Sequence, residues 1–279
     1  MTLTRVSCIC ALILLGCGGG RGASSPAVTP APASAASSYS SSSAPTTAPS
    51  TNAAPGYLEA VVAAADRSEA DRQLDPGRKP VELLTFLGVA PGMRVADLAA
   101  GGGYTTELLA RAVGDTGTVY GQNTKFILGF AEKAWTERSS KPVMKRVVRV
   151  DSELDEPLPA NVRDLDLVTL VLFYHDTVWL ETDRPRMNRN VFGALKSGGA
   201  YVIVDHSAKP GDGVSVVKSL HRIEQSRVLA EVQEAGFVLD AEGDFLRDPS
   251  DTRDWSASPR TAGERRGHSD RFVLRFKKP

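Results

Sequence analysis

Three consecutive glycines, Gly101–Gly103, break the chain directly after a short apolar run. That run, Val95–Leu98, carries a single acid, Asp97, and a helical pattern of leucines follows the glycines. Strand, glycine turn and helix in this order bring backbone N–H groups close to a ligand, because glycine has no Cβ to block the approach. The stretch therefore favours an α/β fold with a ligand site at a strand end, although an ordinary tight turn would also use these residues.

The spacing of the glycines argues against two common nucleotide sites. A dinucleotide fingerprint that begins at Gly101 needs its third glycine at position 106, where the sequence has Thr106. The lysine of a phosphate-binding Walker loop is also missing. The 33 basic and 33 acidic side chains balance, so the charge gives no support for a nucleic-acid partner.

Val95–Tyr104 resembles motif I of class I S-adenosylmethionine (SAM)-dependent methyltransferases, in which an acid lies two residues before a G-x-G-x-G loop. Ala99 occupies the first glycine position here. Leu195–Gly199, L-K-S-G-G, is similar to the family's L-K-P-G-G turn before the fifth strand. The resemblance implies a Rossmann-like class I methyltransferase fold of the α/β class. Its sheet is seven-stranded and mostly parallel, with an antiparallel C-terminal hairpin and helices on both faces.

Hydrophobic patterning places the individual elements. We predict helices at Leu58–Leu74, Val81–Leu87, Lys125–Thr136, Pro185–Leu195 and Val214–Ala235, and strands at Thr118–Gly121, Val147–Val150, Leu165–Phe173, Ala200–Asp205, Phe237–Ala241 and Phe272–Phe276. The long polar loop Asp248–Asp270 is typical of a lid or a binding loop.

The resemblance implies SAM as the cofactor. Asn123 stands where the family places an acid on the ribose, and Asp151 stands where a polar residue lies near the adenine. Together with motif I and the end of the fourth strand, these positions give the predicted cofactor-binding residues Asp97, Ala99, Gly101, Gly103, Tyr104, Asn123, Asp151 and Phe173.

Polar residues end two strands that are expected to be neighbours, and the predicted catalytic residues are His175, Asp176, Asp205 and His206. Histidine supplies a base with a pKa near neutrality, which suits removal of a proton from a methyl acceptor. His221, inside the predicted helix Val214–Ala235, is interpreted as structural unless that helix crosses the strand ends. We assign no metal ligand, but an alternative stays open in which the four strand-end residues hold a divalent cation.

The N-terminus predicts an export signal. Met1–Arg5 carries one positive charge and Val6–Leu15 is an uncharged apolar run, too short to span a bilayer. The following Gly16-Cys17 resembles a bacterial lipobox, which implies cleavage before Cys17 and lipidation of its sulfur. The alternatives are a plain secretory signal and a chance hydrophobic N-terminus. We predict a signal peptide over residues 1–16, a lipidated Cys17 with a disordered Ser/Ala/Pro/Thr-rich tether to residue 56, and a methyltransferase-like domain over residues 57–279.

The predicted location is the bacterial envelope, with the protein attached to the outer membrane through its lipid and facing the periplasm. Gly18 after the cysteine favours the outer membrane by resemblance to sorting rules. No cysteine lies beyond Cys17, so the domain suits an oxidising compartment.

The sequence therefore predicts a lipid-anchored SAM-dependent methyltransferase that acts on a small oxygen or nitrogen acceptor. One alternative is a non-catalytic, methyltransferase-like ligand-binding lipoprotein. Ala99 and Asn123 favour it, as does the synthesis of SAM in the cytosol. An enzyme that uses another nucleotide is a further alternative, which only the glycine loop supports.

Overall fold

The computed structural model describes residues 56–279, which form a single sheet of seven strands with helices around it. The strands are β1 (Arg94–Leu98), β2 (Thr118–Asn123), β3 (Val147–Asp151), β4 (Leu165–Val171), β5 (Leu195–His206), β6 (Val238–Gly243) and β7 (Arg271–Lys277). The helices are α1 (Tyr57–Ala63), α2 (Glu69–Arg72), α3 (Asp75–Arg78), α4 (Pro80–Leu87), α5 (Tyr104–Val113), α6 (Lys125–Ser139), α7 (Tyr174–Trp179), α8 (Arg184–Ala194), α9 (Val217–Leu220) and α10 (Gln225–Glu234).

The strand order is β3-β2-β1-β4-β5-β7-β6. Strands β1 to β5 pair in parallel, whereas β7 runs antiparallel to both β5 and β6. The predicted fold class is therefore confirmed, including the antiparallel hairpin at the C-terminus.

Alternate residues of the central strands supply two separate hydrophobic cores. In β1, Val95 packs with α4 and α5 on one face, while Ala96 and Leu98 pack with α6, α8 and α10 on the other. This two-sided burial follows from the strand period of two, and it explains why β4 is nearly continuous in apolar residues.

The prediction of one helix over Leu58–Leu74 was wrong. The chain leaves the helical conformation at Ala64 (φ −51°, ψ 127°). It resumes a helix only after Ser68, whose hydroxyl accepts a hydrogen bond from the Asp71 N–H at 3.2 Å. A serine cap of this kind favours a new helix start over continuation of the old helix.

The long helix Val214–Ala235 was also wrong. Helix α9 ends at His221, which adopts a left-handed conformation (φ 50°, ψ 52°). The chain then forms a bridge between Ile223 and Ser207 before α10 begins at Gln225. Pairing with the end of β5 replaces helical hydrogen bonds here, and local periodicity does not reveal such a long-range contact.

The order of the sheet fixes where a ligand can lie. Connections run in opposite directions from β1 and β4, so a crevice opens outside the carboxyl ends of these two strands. Between residues 56 and 279 no helix has both the length and the apolar character that crossing a bilayer requires. The predicted signal peptide, Cys17 and the tether lie outside the described residues.

Candidate functional site

A cavity of about 750 Å³ occupies the crevice between β1 and β4. One wall is the glycine loop after β1, and the opposite wall is the start of α7 with His206 and His221. Residues Ala257–Arg260 of the long loop close a third side. The volume lies within the range of about 300–1,000 Å³ that is typical of small-molecule and cofactor sites.

The three glycines have different surroundings. A Cβ on Gly101 (φ 58°) would meet no atom within 4 Å, so this residue faces open space in the cavity. A Cβ on Gly103 would come within 2.8 Å of the Arg138 side chain and within 3.1 Å of Trp135. Gly101 therefore leaves room on the cavity side of the loop, whereas Gly103 permits close packing of the loop against α6.

Ala99, at the first glycine position of the motif, has a backbone conformation that favours glycine. Its φ is 51°, in the left-handed region that L-residues with a Cβ enter at a cost. Its N–H donates to Gln122 Oε1 at 3.0 Å, and this hydrogen bond holds the strained turn in place.

Asn123 supports the loop from behind. Its Oδ1 accepts a hydrogen bond from the Gly101 N–H at 2.8 Å, and its Nδ2 donates to the Gly101 carbonyl at 3.1 Å. The side chain is buried, with 1% of its surface exposed, and it is not among the residues that line the cavity. The structure thus places Asn123 on the protein side of the loop rather than on the side of a ribose.

Asp97 is the penultimate residue of β1 and lines the cavity. Its carboxylate accepts hydrogen bonds from the Thr106 hydroxyl at 2.6 Å and from the Thr169 hydroxyl at 2.9 Å. Burial raises the pKa of Asp97 to about 6, although both hydroxyl bonds oppose this shift. The carboxyl group therefore reaches the cavity already oriented by two neighbouring elements.

Asp205 organises the opposite wall from a fully buried position. Its carboxylate accepts from the His175 N–H at 2.7 Å and from the His206 N–H at 2.7 Å. It also accepts from His175 Nδ1 at 2.7 Å, which turns the Nε2 side of this ring toward the cavity. Asp205 itself does not line the cavity, so its contribution is to orient the two histidines.

His175 and His206 have opposite electrostatic surroundings. Burial by itself would lower the pKa of His175, but the carboxylates of Asp205 and Asp176 raise it to about 10. Burial and the neighbouring charge on His175 lower the pKa of His206 well below its usual value. His206 Nδ1 lies 2.7 Å from the Ser269 hydroxyl, which fixes the orientation of its ring.

His221, interpreted from the sequence as structural, lies in this cluster. Its Nδ1 is 3.3 Å from His175 Nε2 and 3.3 Å from Asp176 Oδ1. The left-handed turn after α9 and the bridge at Ile223 carry the ring to the strand ends. The sequence pointed to this location of His221 only through the alternative that its helix crosses the strand ends.

Arg78 is a second residue that the sequence did not suggest. Its guanidinium lies 4.4 Å from the centroid of the Tyr104 ring and lines the cavity. Within residues 56–279 no protein oxygen accepts a hydrogen bond from it, whereas nearby Arg67 and Arg138 are held by carboxylates. An arginine without an acceptor at a cavity wall is suited to an anionic group on a ligand.

Aromatic rings form the outer rim of the cavity. Phe126 and Trp179 are in edge-to-face contact with centroids 5.5 Å apart, and Phe130 contacts Phe126 at 5.7 Å. Phe126 and Phe130 are 46% and 59% exposed, which is unusual for large apolar side chains. Phe173, which was predicted to face the cofactor, lines the same cavity from the end of β4.

The predicted site residues divide into three groups. Asp97, Ala99, Gly101, Tyr104, Phe173, His175, Asp176 and His206 all line the cavity. Gly103, Asn123 and Asp205 are buried behind its wall, and each supports a residue that does line it. Asp151 lies apart, with its exposed side chain paired to Arg149 at 2.8 Å.

No family model matches the sequence, and no curated protein matches it. The fold is similar to that of several solved methyltransferases. A SAM-dependent methyltransferase from Aquifex aeolicus shares 18% identity with a TM-score of 0.53, and the alignment covers 75% of this chain and 97% of that one. A candidate sarcosine dimethylglycine methyltransferase from Galdieria sulphuraria shares 16% identity with a TM-score of 0.54, covering 76% of this chain and 91% of that one.

A third similar structure is an arsenic(III) S-adenosylmethionine methyltransferase from Chlamydomonas reinhardtii, at 16% identity and a TM-score of 0.50. This alignment covers 81% of the present chain and 74% of the algal one. At such low identity the similarity concerns the fold alone. The described part of the chain has the fold of SAM-dependent methyltransferases.

Proposed function

We propose that this protein is a SAM-dependent methyltransferase for a small-molecule oxygen or nitrogen acceptor. One observation carries the proposal: a single cavity joins the acid-and-glycine loop after β1 to a histidine cluster after β4 and β5. The loop supplies a place for a donor, and the cluster supplies groups that can handle a proton. Both lie at the switch point of the sheet, where ligands bind in open α/β folds.

The residues around the loop fit SAM. Gly101 leaves open space where a side chain would obstruct a ligand. The Arg78 guanidinium matches the carboxylate of the methionyl part of SAM, because no protein oxygen within the described residues engages it. Asp97 supplies a carboxyl group beside the loop. SAM provides an electrophilic sulfonium methyl, and the protein's task is to align an acceptor with it.

His206 is the proposed base. Its lowered pKa keeps the ring neutral at physiological pH, so it can accept a proton, whereas the charges around His175 favour the protonated form of that ring. Asp205 holds the backbone N–H groups of both histidines, and it therefore acts as a positioning residue.

The aromatic rim suggests the acceptor's character. Phe126, Phe130 and Trp179 present apolar ring surface at the mouth of the cavity. A planar or apolar body with one hydroxyl or amine would lie against these rings while its polar group reaches the histidines.

We further propose that the protein is a lipoprotein of the bacterial envelope. Support comes from the sequence alone, namely the apolar run before Gly16-Cys17 and the tether after it. Replacement of Cys17 by Ser should abolish lipid attachment, which mass spectrometry of the membrane fraction would detect. A Cys17→Ser chain that keeps the same lipid mass would contradict the assignment.

Calorimetric titration of SAM and S-adenosylhomocysteine tests the donor site. We expect saturable binding of one equivalent to the full chain and its loss in Gly101→Leu, whose side chain would enter the cavity. Gly263→Leu is a matched control, because Gly263 has a similar φ of 54° and an equally open Cβ position but does not line the cavity. Absence of binding to the wild type at millimolar ligand would overturn the proposal.

A second candidate function, a non-catalytic ligand-binding lipoprotein, is favoured by Asn123. Both ends of its amide bind the Gly101 backbone, and asparagine brings no charge to the position where the motif has the ribose acid. Release of S-adenosylhomocysteine in the presence of small hydroxyl and amine acceptors would support the enzyme. Failure of SAM to bind, combined with retention of another small ligand, would support the binding protein.

A further inference from the structure

We propose that His175, Asp176 and His221 form a binding site for one divalent first-row transition metal ion at the wall of the cavity. The three ligand atoms are His175 Nε2, Asp176 Oδ1 and His221 Nδ1, and they face one another at the cavity surface. This set differs from the arrangement considered from the sequence, because Asp205 lies behind His175 and His206 is bonded to Ser269.

The distances among the three atoms match a coordination face. His175 Nε2 lies 3.2 Å from Asp176 Oδ1, and His221 Nδ1 lies 3.3 Å from each of the other two. Ligands at metal distances of about 2.0–2.2 Å and at angles between octahedral and tetrahedral lie roughly 3.0–3.5 Å apart. The triangle therefore accepts an ion without movement of the backbone.

The triangle holds together in the metal-free protein through hydrogen bonds. The Nδ1 of His175 is engaged by Asp205 at 2.7 Å, so only Nε2 faces the other two groups. Asp176 Oδ1 can accept from His175 Nε2–H at 3.2 Å and from His221 Nδ1–H at 3.3 Å. A cation at the centre of the triangle would take the place of these two protons and contact all three atoms.

The groups behind the ligands resemble the outer shell of a metal centre. The Asp205 carboxylate accepts from His175 Nδ1 and so fixes the tautomer of this ring. A carboxylate is a usual hydrogen-bond partner of a metal-bound imidazole. The Trp179 indole donates to Asp176 Oδ1 at 2.7 Å and holds this carboxylate in place. His221 is held in a left-handed conformation that a free loop would rarely adopt.

The ligand set points to the class of ion. Two imidazoles and one carboxylate suit zinc, iron(II) or cobalt(II), whereas magnesium and calcium prefer oxygen ligands. Three protein ligands on one face leave positions open toward the cavity. If the proposed function holds, an acceptor hydroxyl at such a position would have its pKa lowered beside the donor site.

Metal titration of the full chain provides the test. After treatment with a chelator, we expect the protein to bind one equivalent of Zn²⁺ by calorimetry and to give a Co²⁺ visible spectrum. Alkylation of any free cysteine should leave both results unchanged, because the three cysteines of the sequence, Cys8, Cys10 and Cys17, are not among the proposed ligands.

Variants assign the ligands. His221→Asn and Asp176→Asn should abolish Zn²⁺ binding, and asparagine is chosen at position 221 because it tolerates the left-handed conformation. Asp205→Asn should weaken binding about 10–100-fold through the orientation of His175. His268→Asn, which removes an exposed histidine outside the cluster, and His206→Asn should both keep the wild-type affinity.

Two outcomes would overturn the proposal: no Zn²⁺ or Co²⁺ binding by the wild type, or binding that keeps the wild-type affinity in His221→Asn or in Asp176→Asn. Circular dichroism of each metal-free variant shows that its fold is kept. Binding of S-adenosylhomocysteine is measured separately on the metal-free protein, so a failure of the metal site and a failure of the donor site are distinguishable.

Discussion

The side-chain amide of Asn123 makes two hydrogen bonds to the backbone of Gly101, one at each end of the amide. This pairing joins the end of β2 to the loop after β1. It gives asparagine a specific role at a position where an acid is typical of the methyltransferase motif, since a carboxylate cannot donate to the Gly101 carbonyl.

Asn123→Asp is therefore expected to destabilise the protein. It removes the donor to the Gly101 carbonyl and buries a charge, at a cost of about 1–3 kcal/mol in the free energy of unfolding. Urea denaturation at neutral pH measures this loss. The exposed Asp151→Asn serves as the comparison and should change stability by less than about 1 kcal/mol, because its partner Arg149 also pairs with Glu132. Equal effects of the two substitutions would contradict the bracing role.

The sequence predicted the sheet well because the relevant signals are local. The glycine loop, the apolar β4 and the Leu195–Gly199 motif at the start of β5 are each contained in a few consecutive residues. The resemblance to the methyltransferase family that these motifs carry implied the arrangement of the sheet, which the structure has. The histidines at positions 175 and 206 were found for the same reason, since each lies within two residues of the end of a predicted strand.

His221 and Arg78 were not predicted because their positions depend on contacts between distant segments. His221 reaches the cavity only through the bridge between Ser207 and Ile223, which interrupts an otherwise helical pattern. Arg78 is the last residue of α3, and its guanidinium reaches the cavity and stacks on the Tyr104 ring. The orientation of Asn123 likewise depends on how β2 meets the loop after β1. None of these relationships has a periodic signature in the sequence.

Ala99→Gly is expected to stabilise the protein by about 1 kcal/mol, because it relieves the left-handed strain of an alanine at φ 51°. This gain is the energy of the relieved strain minus the cost of the greater conformational entropy that glycine gives the unfolded chain. Ala100→Gly provides the matched control, since Ala100 has no positive φ and should lose about 0.5–1 kcal/mol. Thermal denaturation of both variants gives the comparison, and a loss of stability in Ala99→Gly would refute the strain argument.

Asp97→Asn should change the pH dependence of stability. The folded pKa of Asp97, about 6, lies above the usual carboxyl value of 3.8. The stabilisation of the folded protein by protonated Asp97 is therefore fully present below the unfolded pKa. It is lost as pH rises through the folded pKa of about 6. Because asparagine stays neutral, the stability of the variant relative to the wild type should improve by about 2 kcal/mol between roughly pH 4 and pH 8. Denaturant titrations across this range measure the difference, and a difference that stays flat with pH would exclude the raised pKa.

Arg78→Gln tests the anchoring of the donor. If the unengaged guanidinium binds the methionyl carboxylate, its removal should weaken S-adenosylhomocysteine binding by about 1.5–3 kcal/mol, which corresponds to roughly tenfold or more. Methylthioadenosine lacks the amino-acid group, so its affinity should stay unchanged in the same variant. Arg78→Lys should lie between the wild type and Arg78→Gln, since lysine keeps the charge but not the forked geometry. Calorimetry with the two ligands distinguishes a contact to the carboxylate from a general change in the cavity. Equal losses of affinity for both ligands would show that Arg78 maintains the shape of the cavity and does not bind the methionyl carboxylate.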